Sequence, residues 1–329
     1  MAIIANTFQS TSATANRESL HDAISMITPR DTPIFSLMEK GTAQATYEEW
    51  VIRNLRAAAA NAQLEGDEYA FNASTPSVRV GNRTQIIRES WIVSRSQNSV
   101  RNAGEGESSK RLKLEAGMAL RKDIELGIVS NNASVAGATR VFGGLPSWIT
   151  TNASRGATGA NGGFNNGTKL TVAATNGTQR TFTQTLLDDL MQSVYVAGGE
   201  VTDLVGSAYI KRVFVGFMSN PNVAVFRRSV EDGKSNRIVS NADYYDGPYG
   251  TVRFMPNRVM NTALTSRNVF ALDMSLLRFL WLDEIANDPD VAKTGDAKKG
   301  VLIGEGTLEV SNEQGLGVVA DVFGLTAST

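Results

Sequence analysis

Residues 47–100 read as two polar strand limbs joined by an alanine-rich tip, and a charged amphipathic helix follows directly over about residues 108–131. The first limb, residues 46–55, sets Trp50 and Ile52 among Glu48, Glu49 and Arg53. The second, residues 77–94, alternates Val78, Val80 and Ile86 with Arg79, Arg83 and Arg88. Such alternation predicts strands with one wet face. Between the limbs lie Ala57 to Ala60, then Glu65, Asp67 and Glu68, then Pro76, a tip too small and polar to hold a core. Each limb has roughly 25 residues and spans at most about 80 Å, whereas a compact chain of this length has a radius of gyration of about 20 Å. A hairpin of that reach projects past its own domain, where exposed strand edges pair with other chains. The arm is therefore expected to lie on another subunit, with Arg53, Arg56, Arg79 and Arg83 on the limbs and Glu65, Asp67 and Glu68 at the tip as inter-subunit contacts.

Composition closes off several function classes. Lys plus Arg number 32 against 33 for Asp plus Glu, so the net charge of -1 gives no whole-molecule field to gather nucleic acid. Any nucleic-acid contact must be local. The chain has no cysteine, which removes disulfides, thiolate metal sites and cysteine nucleophiles. The amino terminus lacks the basic flank and long apolar run of a signal peptide, and the longest apolar candidate, residues 269–282, is broken by Asp273 and Arg278, so no membrane partner is expected.

Residues 6–20 read as a polar strap, anchored by Ile34, Phe35, Leu37 and Met38 after Pro33. The helix from Ser108, entered through Gly104 to Glu107 with a serine cap, places Leu112, Ala116, Leu120, Ile124 and Ile128 on one stripe with Met118 and Val129 beside it. From about residue 138 to 176 the composition shifts to Gly, Asn, Thr and Ala, marking a domain boundary. A capping box from Thr181 to Gln184 then opens a second helix through Leu186, Leu190 and Val194, which Gly198 and Gly199 stop. Strand-like runs follow at residues 213–217, 237–239, 251–255 and 269–272, and residues 306–310 with 316–323 suggest a closing hairpin. A mixed α+β core results.

The search for chemistry yields no catalytic set. His21 is the single histidine, which supports neither a Ser-His-Asp triad nor a usual zinc site. The glycine-rich stretch 156–163 lacks the Gly-Lys-Ser/Thr ending of a phosphate loop. Asp188 with Asp189, and Asp283 with Glu284, sit adjacent and so diverge on a helix. Asn-x-Ser/Thr sequons, among them those that start at Asn72, Asn132, Asn152, Asn166 and Asn176, carry little weight without a signal peptide, and the basic turn 293–299 fits a solvated loop. No cofactor, metal or catalytic residue is expected.

Residues 92–100, Gly104, the helix ending Leu120-Arg-Lys-Asp-Ile-Glu125, and Val129-Ser-Asn131 resemble the major head proteins of tailed bacteriophages. So do residues 143–152, 249–258, 292–296 and 305–312, in order along nearly the whole chain. The resemblance implies the Hong Kong 97 capsid fold: an N-arm at 1–45, an extended E-loop at 46–100, a P-domain with its spine helix at 101–145, an A-domain at 146–294, and a return to the P-domain at 295–329. It further implies hexamers and pentamers closing an icosahedral shell around double-stranded DNA in the virion, assembled in the bacterial cytoplasm with a portal. The chain begins almost directly at the N-arm, so a separate scaffolding protein is expected. No Lys–Asn crosslinking pair is assigned, and no crosslink is expected. An encapsulin-like compartment holding cargo enzymes shares the fold and is the alternative. An enzyme on an α+β core is a third reading, disfavoured by the missing catalytic set.

Overall fold

The computed structural model describes residues 28, 30–68, 71, 73, 74, 76–100, 107–217, 243–292 and 295–327. The strap at 6–20, His21, Gly104 and the run 237–239 lie outside the described residues.

Pro33 opens a short helix, α1 (Pro33–Leu37), with Thr32 ahead of it outside the helical region. This is the position where a missing N–H costs nothing. Ile34, Phe35 and Met38 are buried while Leu37 is exposed, so three of the four expected anchors enter the core. The strands β1 (Glu39–Thr42), β2 (Tyr47–Ile52), β3 (Val78–Arg83) and β4 (Gln85–Ser94) follow, then a single helical turn, α2 (Arg95–Ser99). The limb expected over residues 77–94 is thus two strands divided at Thr84. Only β3 pairs with β2, antiparallel from Tyr47 opposite Arg83 to Ile52 opposite Val78. The arm ladder is six residues deep, far shorter than the limbs predicted, because the second half of that limb belongs to a larger sheet.

Helix α3 (Ser108–Val129) buries Ala116, Leu120, Ile124 and Ile128 of the predicted stripe, with Val129 beside it and Glu125, while Leu112 and Met118 are half-buried. Its N-cap is Glu107 rather than a serine, without a side-chain cap bond. The Glu107 carboxylate instead receives Lys298 and Ser109, and these bonds hold its pKa well below the usual carboxylate range. Gly127 lets the helix lie on Phe142, since a Cβ there would come 2.6 Å from the ring.

The chain continues through α4 (Leu145–Trp148), β5 (Ala153–Ser154), β6 (Gly163–Asn165), β7 (Leu170–Val172), α5 (Gln184–Ala197), β8 (Asp203–Gly206) and α6 (Ala208–Phe217). The cap of α5 is Thr183, whose hydroxyl accepts from Leu186 N–H, two residues beyond the Thr181 expected. Gly198 ends the helix at φ 92°, a left-handed conformation that glycine adopts freely. Residues 213–217, expected as strand, are the last part of α6, where Ile210 and Phe214 share the buried face.

Then come β9 (Tyr244–Gly247), β10 (Gly250–Pro256), β11 (Val269–Leu272), β12 (Leu277–Asn287), β13 (Ala297–Val310) and β14 (Gly317–Val319). Asp283 and Glu284 therefore lie on a strand, not a helix. The closing hairpin does not form: β13 and β14 belong to different sheets, because the turn between them carries the chain across the core.

One sheet runs β1-β12-β13-β4 and the other β5-β14-β11-β8-β10-β9. Alternate residues of the six-stranded sheet serve two cores, as the period of two demands. Val205, Phe270, Leu272 and Val318 join α1, α3 and the four-stranded sheet. Leu204, Val269, Ala271 and Val319 face the other way against α5 and α6. Phe142, Leu145, Trp148 and Ile149, from the compositional shift at 138–176, pack in the first of these cores.

Candidate assembly surface

The base of the arm is held by polar bonds that reach into the core. Trp50 Nε1 donates to the Val310 carbonyl at 2.9 Å, and the Trp50 ring lies 5.4 Å from that of Trp148. Asn82, fully buried, accepts from Gly143 N–H at 2.9 Å and donates to the Leu308 carbonyl at 2.8 Å. These bonds join β3 to β13 and to the turn before α4. Replacing Asn82 with alanine strands a buried donor and a buried acceptor, and is expected to cost about 2–4 kcal/mol. Chemical denaturation of the unassembled subunit measures this, and a loss below the cost of one hydrogen bond would refute it.

Beyond Ile52 and before Val78 the chain has no strand or helix among the described residues. Leu55 is 97% exposed, Phe71 95% and Leu64 79%. Side chains of this size normally find cover, and here the other described residues supply little. The aliphatic and aromatic positions were not singled out from sequence, although three large apolar residues in an otherwise small and polar tip are the signal that finds them.

The charged candidates divide between two environments. Arg53, Arg56, Glu65, Asp67 and Glu68 lie exposed on the segment beyond the ladder, where Arg56 donates only to its neighbour, the Ala57 carbonyl. Arg79 and Arg83 lie on β3 and are engaged within the arm. Arg79 stands 3.6 Å from Glu49, and the Arg83 guanidinium stacks 4.2 Å over the Tyr47 ring. The structure does not bring the seven residues into one cluster.

Next to the arm base is an open cleft of ≈ 690 Å³, walled by Ile52 and Val78 of the arm and by Phe164 and Val172 of the β6–β7 hairpin. Among the described residues no group of His, Asp or Glu is arranged to hold a metal. Nor is any helix among them long and apolar enough to cross a membrane. Elsewhere in the fold, Tyr245 Oη donates to Asp188 at 2.6 Å, and burial together with that carboxylate pushes the phenol pKa up. The bond ties the β9–β10 hairpin to α5.

A family model described as SU10 major capsid protein matches residues 5–323 of the chain. A curated relative, the major capsid protein of Escherichia phage Phieco32, is 30% identical over 111 residues, which make up 33% of this chain and 32% of that protein. The match thus spans about a third of the relative's length. Among solved structures, the capsid asymmetric unit of cyanophage A-1(L) superposes with a TM-score of 0.66 at 14% identity, covering 96% of this chain and 99% of the other. The holo-SrpI encapsulin complex of Synechococcus elongatus gives a TM-score of 0.58 at 10% identity over 98% of this chain and 99% of the other. At such identities the structural likeness speaks for the fold.

Proposed function

The chain belongs to the SU10 major capsid protein family, and from that premise we propose that it builds the head of a tailed bacteriophage by self-assembly into hexamers and pentamers of an icosahedral shell. Its α+β architecture is the Hong Kong 97-like capsid fold. The observation that carries the proposal is the segment between Ile52 and Val78, whose Leu55, Leu64 and Phe71 gain little cover from the other described residues and find it on a neighbour. Many repeated contacts of moderate strength suffice to close such a container.

Within this reading, residues 1–45 serve as the N-arm, 46–100 as the E-loop, 101–145 as the P-domain with α3 as its spine, 146–294 as the A-domain, and 295–329 as the return to the P-domain. Double-stranded DNA fills the shell through non-specific contact with its inner surface, and a portal and a separate scaffolding protein complete the assembly in the host cytoplasm. No catalytic role is proposed, since the part played is geometric. The family match favours a genome container over an encapsulin compartment.

Electron microscopy of the expressed full-length chain, with and without the scaffolding protein, is expected to show closed shells with five- and six-fold capsomers. A chain that stays monomeric under every such condition would overturn the proposal.

A further inference from the structure

We propose that Arg155, Arg180 and Arg267, gathered about Asp321 beside the edge strand β5 of the six-stranded sheet, form a binding site for a phosphate dianion. Asp321 is fully buried. Its Oδ1 lies 2.7 Å from Arg267 Nη2, an ion pair not aligned as a hydrogen bond, and its Oδ2 accepts from Gly156 N–H at 3.1 Å. Arg155 precedes that glycine and sends Nε to Asn161 at 2.8 Å. Arg180 sends Nη2 to Ser154, the residue before Arg155, at 2.8 Å, while its backbone N–H donates to the Asp321 carbonyl at 2.7 Å. Three guanidiniums therefore share one carboxylate, and only Arg267 is paired with it among the described residues.

The cluster is short of negative charge and of acceptors. Arg155 Nη2, Arg180 Nε and Arg267 Nε are buried without a partner among the described residues, an arrangement that native proteins rarely leave unexplained. Burial pushes the Arg155 and Arg180 pKa values down although Asp321 pulls the other way, and Arg267 adds to the push at Arg155. Arg155 and Arg180 are only half-buried, so an ion reaches their forks from solvent without opening the core. The backbone is strained at the same place. Thr158, in the turn that Gly159 N–H closes onto the Gly156 carbonyl at 3.1 Å, has φ 67°, and Asp321 has φ 60°. A β-branched residue seldom accepts such an angle, and conformations of this kind gather at ligand sites. The glycine-rich stretch 156–163 thus lacks the ending of a nucleotide-binding loop but packs against a cationic cluster.

Charge selects the ligand. Three arginines less one aspartate leave a local +2, which a phosphate group carrying about −1.5 to −2 at neutral pH cancels and a single carboxylate does not. The planar guanidinium fork also matches phosphate oxygens in pairs. Two sources supply that dianion, the free ion and a phosphomonoester such as a nucleotide's.

Isothermal titration of the full-length, unassembled chain with inorganic phosphate, at an ionic strength held constant with chloride, is expected to show one saturable site per chain. Arg155→Gln and Arg180→Gln are each expected to weaken it about tenfold or more and to shrink the rise in melting point that phosphate gives the parent chain. No saturable binding, or binding unchanged in both variants, would overturn the inference. Should the variants not fold, modification of the parent chain by an arginine-selective dicarbonyl gives a second reading: phosphate is expected to mask Arg155 and Arg180, and modification independent of phosphate would equally overturn it. Competition by a nucleoside monophosphate assigns the site to a phosphomonoester, and its absence assigns the site to the free ion. No particle is needed for any of these readings, so their failure leaves the shell reading untouched.

Discussion

Removing residues 57–74 leaves the subunit folded and abolishes closed particles: this is the expected result with the largest consequence for function. The deletion takes out Leu64 and Phe71, both exposed, and touches no residue of either core. Ile52 and Val78 are already opposite one another in the arm ladder, so the seven remaining residues, 53–56 and 75–77, close the hairpin with a loop of ordinary length. The melting point of the unassembled subunit is therefore expected to move by no more than about 2 °C, since surface changes away from packed features stay within about 0.5 kcal/mol. Assembly loses the apolar anchors, each worth about 1.5–3 kcal/mol when fully buried, and it loses them at every copy. Sedimentation and electron microscopy provide the readout, and normal shells from the deleted chain would refute the arm as an interface.

The second large effect is at Glu125, inside the first core. This carboxylate is fully buried on α3 and accepts from Ile34 N–H at 3.1 Å, Phe35 N–H at 2.8 Å and Asn257 Nδ2 at 2.6 Å. It thereby satisfies N–H groups in the first turn of α1, which have no partner within that helix, and binds the end of β10 to the same point. Glu125→Leu keeps the volume and strands three buried donors, at about 1–3 kcal/mol each. A loss of about 3–9 kcal/mol follows, read as a melting point lower by roughly 6 °C or more. A change under 2 °C would refute the clamp.

Burial, the dominant influence, raises the Glu125 pKa against the opposing pull of the two backbone N–H groups, Asn257 and Lys40. Between the unfolded and the raised native value the native state holds a proton that the unfolded chain has released. The stability this residue contributes is complete below the unfolded carboxylate range and is lost as pH rises through the raised native value. Glu125→Gln cannot titrate and is expected to flatten that part of the stability profile. An unchanged slope would show that the dependence lies elsewhere.

Helix α3 was legible from its sequence because one stripe at helical spacing recurs over five turns, and α5 because its apolar spacing ends at a glycine pair. The base of the arm was legible from Trp50 and Ile52 alternating with charge. What escaped was non-local. Residues 213–217 are β-branched or aromatic except Gly216, so local propensity favours a strand, but Ala208 starts a helical frame that sets Phe214 four residues after Ile210 on the buried side. The division of the second limb at Thr84 depends on β13, more than 200 residues later. Glu125 is a charged residue in a charged helix, and nothing near it in sequence announces that α1 will dock there. The cleft likewise needs the arm and the 163–172 hairpin to meet, which no local pattern encodes.

The direct passage from β3 through Thr84 into β4 has a mechanical meaning. A strand pulled along its own axis loads all of its cross-strand bonds at once, in shear, whereas one peeled sideways gives way bond by bond. β4 is held to β13 by ten successive register pairs, from Ala297 opposite Ser94 to Gly306 opposite Gln85. Tension on the arm enters this ladder at Gln85, one end of it, and is borne by the whole length. A shell swelling from within would strain each arm against the strongest direction its anchoring sheet possesses.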